Sequence, residues 1–146
     1  GYFSLPIAAR VPQGRVLAVD IQPEMLEIIS SRIVQSGIAN VEPVLGGIDS
    51  PNLAASSIDL AFIVDAYHEF SHPFEMGQGL FEALKPGGQL VLIEYRGEDA
   101  SVPIKRLHKM TAQQAGKEIR ALGFRGPDVL DVLPQQHILI FTKPSG

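Results

Sequence analysis

A double alternation along the chain constrains its fold more than any other feature. Four short apolar runs rich in β-branched residues, VLAVD (16–20), VEPVL (41–45), DLAFIVD (59–65) and QLVLIEY (89–95), are separated by segments of helical periodicity. Nearly continuous runs of this kind suit parallel strands covered on both faces. The first helical segment follows Gln22-Pro23, which puts proline at the favoured first helical position. It carries Met25, Leu26, Ile28, Ile29 and Ile33 at helical spacing and meets a natural stop at Gly37. A second helix is expected over about 72–84, ended by a turn at Lys85-Pro86-Gly87-Gly88. A third begins at Thr111, where TAQQ matches a capping box, and stops at Gly123.

Strand–helix alternation with short connections implies right-handed crossovers and a doubly wound, mostly parallel α/β sheet. The tail departs from this. A run around 129–133, then Pro134-Gln135-Gln136, then HILIFTK (137–143), reads as an antiparallel hairpin closing the sheet. The 146 residues suit a single domain over 1–146. The opening GYFSLPIAAR has no methionine and no basic segment or cleavage site, and reads as the body of a helix, so it is not a signal peptide. The chain is therefore expected to start inside a domain, lacking a first strand.

Bulk properties narrow the partners. Apolar residues at 45 % and charged residues at 19 % are an ordinary globular balance. A net charge of −4 argues against a broad nucleic-acid surface, which needs clustered Lys and Arg. No apolar run approaches the roughly 20 residues that span a bilayer. With no cysteine, disulfides, thiolate metal sites and thiol nucleophiles are excluded, which fits a cytoplasmic protein. The expected partner is a small molecule, with neither nucleic acid nor membrane.

In open α/β sheets ligands sit outside the carboxyl ends of the strands. That rule selects Asp20, the 46–50 loop, residues 65–70 and residues 94–96. Asp20 ends the first apolar run about 20 residues after Gly1, the spacing at which nucleotide-binding folds place a ribose-binding acid. One carboxylate can accept both adjacent ribose hydroxyls. The plain alternative is that Asp20 caps the following helix.

The residues GYFS (1–4), VLAVDIQPEMLE (16–27), SIDLAFIVDAYHEFSHP (57–73) and ALKPGGQLVLIEYRGED (83–99), with the closing hairpin, resemble a class I S-adenosylmethionine-dependent methyltransferase over essentially the whole chain. By this resemblance Gly1 would be the last glycine of the cofactor loop, whose earlier glycines and strand precede the sequence. Asp20 would hold the ribose hydroxyls, and Ile21 and Met25 would flank the adenine. Gly47 and Ile48 stand where the family often has an acid and a small residue, so the acid is missing and Asp49 or backbone groups would serve. Asp65 and Ala66 would lie beside the methionine portion. Ile21 and Met25 also read as ordinary core residues, and Asp49 as the cap of its own turn.

For the acceptor, His68 is the first choice, with Tyr67 and Glu69 behind it, since a positioned His or Glu can take the proton that a methylated nucleophile loses. The alternative is a histidine that tethers a loop. Glu94 would bind a cationic acceptor or take a proton; the alternative is that Arg96 simply neutralises it. The basic segment 104–110 reads as a solvated lid, or as an attractor of an anionic acceptor. His72 and His137 read as structural. No set of His, Asp and Glu has spacing that calls for a metal. Two other functions compete: an NAD(P)-dependent Rossmann oxidoreductase, and a truncated, non-catalytic domain. Without the first strand, two apolar strand edges would stand unpaired, with weak cofactor binding, low stability and a tendency to homo-oligomers as the expected results.

Overall fold

The computed structural model describes residues 2–146, so Gly1, expected in the cofactor loop, lies outside the described residues. The chain forms two compact units, one running up to Asn52 and the other spanning Leu53–Gly146.

In the first unit the order is α1 (Ser4–Arg10), β1 (Val16–Asp20), α2 (Pro23–Ser36) and β2 (Val41–Leu45). The two strands pair in parallel, with Val16 opposite Val41 and Asp20 opposite Leu45. Pro23 does open α2. Gly37 closes it in the left-handed region at φ 68°, where its N–H reaches the Ile33 carbonyl at 3.1 Å. The core is small: Ala8, Ile29 and Val41 are buried, with partly buried Leu5, Val16, Ala18, Leu26, Ile33 and Ile38 around them. Asn40 ties the unit together, its side-chain amide donating to the carbonyls of Ala8, Val11 and Gly14 at 2.9–3.1 Å. Those donors satisfy the end of α1 and the turn before β1, where the chain has no ladder to supply them.

The second unit contains β3 (Ile58–Val64), a 3₁₀ turn over Tyr67–Glu69, α3 (Pro73–Ala83), β4 (Leu84–Tyr95), a 3₁₀ turn over Arg106–His108, α4 (Ala112–Ala121), β5 (Arg125–Leu130) and β6 (Gln136–Thr142). Its sheet has the order β3-β4-β6-β5, parallel between β3 and β4 and antiparallel in the other two pairs. The closing hairpin is as expected. The strands form two ladders, β1 with β2 and β3 to β6 together, and the expected parallel pairs with an antiparallel closing hairpin are present.

The Lys85-Pro86-Gly87-Gly88 turn is also corrected, because β4 begins at Leu84 and runs through it. Gly87 N–H donates to the Lys143 carbonyl and Lys143 N–H to the Gly88 carbonyl, both at 2.9 Å, so an adjacent chain supplies the partners that a turn would have found locally. Gly87 sits at φ 78°, and a side chain on Gly88 would meet the Lys85 carbonyl at 2.9 Å. Lys143 also closes α3, its ammonium bonding the Phe81 and Leu84 carbonyls at 2.6 and 2.7 Å. In α4 only half of the capping box forms: Thr111 accepts from the Gln114 N–H at 3.0 Å, while the Gln114 side chain turns forward to Glu118.

The core follows the two-residue period of the central strands. Leu90, Leu92 and Glu94 alternate inward on β4, and His137, Leu139 and Phe141 do so on β6. They face each other as Leu90–Phe141, Leu92–Leu139 and Glu94–His137. Met76, Leu80, Ala115, Ile119 and Phe124 complete the cluster. Two rungs of this stripe are apolar and the last is a carboxylate beside an imidazole. Among the described residues no helix is long and apolar enough to cross a membrane.

Candidate functional site

In the first unit, Asp20 is a half-buried residue at the end of β1. Oδ1 accepts the Gln22 N–H at 2.9 Å, a local turn that fixes the side chain ahead of α2. Ile21 and Met25 follow, 52 % and 40 % exposed, so they are not the core residues that their chemistry alone allowed. Ile48 is likewise exposed. Gly47 N–H bonds the Ser50 carbonyl at 2.8 Å, and Ser50 Oγ, not Asp49, caps the turn by accepting from Asn52 N–H at 3.1 Å. Asp49 is thereby left free of the capping role.

The second unit holds a denser constellation. Glu94, fully buried, accepts the Tyr67 backbone N–H at 2.9 Å through Oε1 and meets His68 Nδ1 at 2.6 Å through Oε2. Both oxygens are engaged by protein N–H groups. The expectation that Glu94 meets the acceptor is corrected to a positioning role: it sets the tautomer and angle of His68. Arg96 does not neutralise it. The guanidinium instead binds the Leu133 and Pro134 carbonyls and Asp131, pinning the β5–β6 connection.

Tyr67 turns away as well. Its ring is buried in the core and its hydroxyl donates to Glu118 on α4 at 3.1 Å. Burial, with Glu118 adding to it, pushes the phenol far above its ordinary range, so it stays protonated. Its hydroxyl is thereby committed to α4, behind His68. Glu69 is on the solvent side, 3.9 Å from His68 Nε2.

A cavity of about 440 Å³ opens over these groups, lined by Asp65, His68, Glu69, Tyr95, His108 and the 103–105 segment. Asp65 follows β3 at φ 47°, a left-handed conformation that Asp tolerates better than most residues. Its Oδ2 accepts from the Gln136 side chain at 2.6 Å, whereas the buried Oδ1 has no hydrogen-bond partner. Ala66 contributes backbone, its carbonyl accepting from Glu69 N–H at 3.0 Å.

His108 was hidden in the basic segment. It arrives because Met110 pairs with the end of β4: Met110 N–H donates to Tyr95 and Gly97 N–H to Met110, at 3.0 and 3.1 Å. Gly97 permits this approach, since a Cβ there would stand 2.8 Å from Thr111 N and 2.9 Å from Met110 C. The segment is thus partly a cavity wall, though Leu107 points to solvent at 86 % exposure. His72 bonds Ser71 and does not cap α3 through its side chain. His137 is buried in β6, its Nε2 without a partner, and burial lowers its pKa below the usual histidine value.

Comparison with known proteins agrees with this architecture. The family described as "Methyltransferase domain" matches residues 1–88. The chain belongs to that methyltransferase-domain family. It is 29 % identical over 94 residues to tRNA U34 carboxymethyltransferase of Desulfotalea psychrophila, and 28 % over 85 residues to ubiquinone/menaquinone biosynthesis C-methyltransferase UbiE of Pseudomonas putida. These matches cover 63 % and 58 % of this chain, and only 28 % and 33 % of the relatives, so the chain spans about a third or less of their lengths. A solved SAM-dependent methyltransferase from Aquifex aeolicus superposes with a TM-score of 0.81 at 22 % identity, covering 88 % of this chain and 69 % of that one. That likeness shows the fold, a Rossmann-like α/β arrangement with a mixed sheet.

Proposed function

We propose that the chain performs S-adenosylmethionine-dependent methyl transfer to a small-molecule acceptor. The observation that carries this reading is Asp20, a strand-end carboxylate of the family with one oxygen held by a local turn and exposed apolar Ile21 and Met25 beside it. Apolar side chains left in solvent next to an anchored carboxylate suit a nucleoside, whose base takes the apolar surface and whose diol takes the acid. Gly47, Ile48 and Asp49 would complete the nucleoside contacts. In the second unit, taken by itself, the unpartnered, buried Oδ1 of Asp65 beside Ala66 would suit a cationic group such as an ammonium, because a buried carboxylate oxygen calls for a donor. When bound, the cofactor supplies a methyl group on a sulfonium, open to attack by a nucleophile.

The chain's own contribution is placement. The cavity at His68 would hold the nucleophile in place, an effect worth a large share of such a barrier. With Nδ1–H donating to Glu94, His68 presents the Nε2 lone pair to the cavity, suited to receive an acceptor proton. One of the two relatives is named for tRNA U34 and the other for ubiquinone/menaquinone biosynthesis, and the small cavity with a net charge of −4 favours the small molecule.

Calorimetric titration with S-adenosylhomocysteine tests the reading. The native chain binds it, and Asp20→Ala loses about 1–3 kcal/mol, as expected when hydroxyl contacts to a charged group disappear. Binding of NADH with none of S-adenosylhomocysteine would assign the chain to nicotinamide chemistry instead.

A further inference from the structure

We infer that the chain carries a divalent transition-metal site of zinc type, formed by His68 Nε2, His108 Nδ1 and Glu69 at the cavity mouth. The three ligand atoms all lie within 4.8 Å of one another. The separations are 3.4 Å between His68 Nε2 and His108 Nδ1, 3.6 Å from His108 Nδ1 to Glu69 Oε1, and 3.9 Å from His68 Nε2 to the same oxygen. A triangle with those edges has a centre about 2.1 Å from each corner, the Zn–N and Zn–O bond length. Few protein-only contacts explain such a grouping. At 3.4 Å the two imidazoles make at best a long hydrogen bond, and neither Glu69 distance is a hydrogen-bond length.

The surroundings are those of a metal ligand. A metal-bound histidine ordinarily donates its other ring N–H to a carboxylate, which fixes the tautomer and raises the basicity of the ligating nitrogen. His68 does this to fully buried Glu94, with only 6 % of its own side chain exposed. His108 and Glu69, 50 % and 60 % exposed, have the freedom to close by a few tenths of an ångström around an ion. Two imidazoles and one carboxylate suit zinc and its neighbours, and disfavour the hard, oxygen-seeking magnesium and calcium. Three protein ligands leave a fourth position for an exchangeable ligand, as in catalytic zinc sites, and all three also line the cavity. An acceptor hydroxyl or carboxylate there would be engaged by the cation in place of the imidazole. The site itself does not depend on the methyl-transfer reading.

The test is metal binding by the full chain. Protein stripped with a chelator is titrated with Co²⁺, read by its visible absorption, and with Zn²⁺, read by competition against a chromophoric chelator and by metal analysis after gel filtration. One equivalent binds, with a four-coordinate cobalt spectrum. His108→Ala and Glu69→Ala each weaken zinc at least tenfold while their circular dichroism stays native, both side chains being largely in solvent. Glu94→Gln weakens it about 10–100-fold through His68. Absence of a retained equivalent, or stoichiometric binding that persists unchanged in the His108→Ala, Glu69→Ala double variant, overturns the site. Titration with S-adenosylhomocysteine on the same stripped samples reports the methyltransferase reading separately.

Discussion

The two units solve the same packing problem to very different extents. The second buries thirteen residues in one cluster around β4 and β6, several of them with no exposed surface at all. The first buries Ala8, Ile29 and Val41, and leaves Val19, Ile21, Met25, Ile28, Val34, Leu45 and Ile48 substantially exposed. Its sheet has only two strands, an arrangement that is marginal unless a helix or ligand covers it. The contrast is between a well-filled core and one that leaves much of its apolar surface exposed. On the proposed reading, these exposed apolar side chains are the ones that would meet a nucleobase.

Leu139→Ala should break the comparison most severely, because Leu139 is fully buried opposite Leu92. A loss of about 2–5 kcal/mol is expected from urea unfolding. Ile29→Ala, in the smaller core, should cost less, since a looser site collapses more readily around the cavity. Equal losses would mean that the first unit is as tightly organised as the second. Next comes Glu94→Gln, which puts an amide donor where two N–H groups need acceptors. About 1–3 kcal/mol is expected, along with a changed His68 tautomer in ¹⁵N NMR spectra. Retention of both stability and tautomer would remove Glu94 from the positioning role.

A pH effect follows from His137. Burial holds its folded pKa below the unfolded value of about 6.5, with Arg96 adding to the effect and Glu98, Asp131 and Glu94 opposing it. The unfolded chain therefore binds more protons in the window between the two values. Stability should be constant above about 6.5 and fall as pH drops below it. Denaturation midpoints of His137→Phe against the parent should show a shallower acid slope in the variant. Smallest is Ile28→Ser, on the exposed face of α2, where a change within about 0.5 kcal/mol is expected. A larger loss would show that this face is packed after all.

Much of the fold was legible because local chemistry and tertiary demand agree. Proline and glycine mark the ends of α2, Thr111 begins α4, and the β-branched runs are strands. Legibility failed where distant chain supplies what local signals request. Lys85 to Gly88 read as a turn until Lys143 provides their backbone partners. The site follows the same rule. His68 could be picked from its place after a strand, whereas its link to Glu94 spans 26 residues and its approach to His108 spans 40. No periodicity encodes either. Glu94 ends a strand where ligands gather, yet its position in the inward stripe with Leu90 and Leu92 points to the interior.

The inward Glu94 makes the imidazole a reporter of strand alignment. Were β4 to slip by one residue against β6, Glu94 would swing to the opposite face, and His68 would lose its anchor together with the Tyr67 N–H. A misthreaded chain could keep its helices and its compactness and still aim the wrong nitrogen at the cavity. The direction of that single ring is thus a certificate of correct assembly, issued only when the central ladder has closed in its proper order.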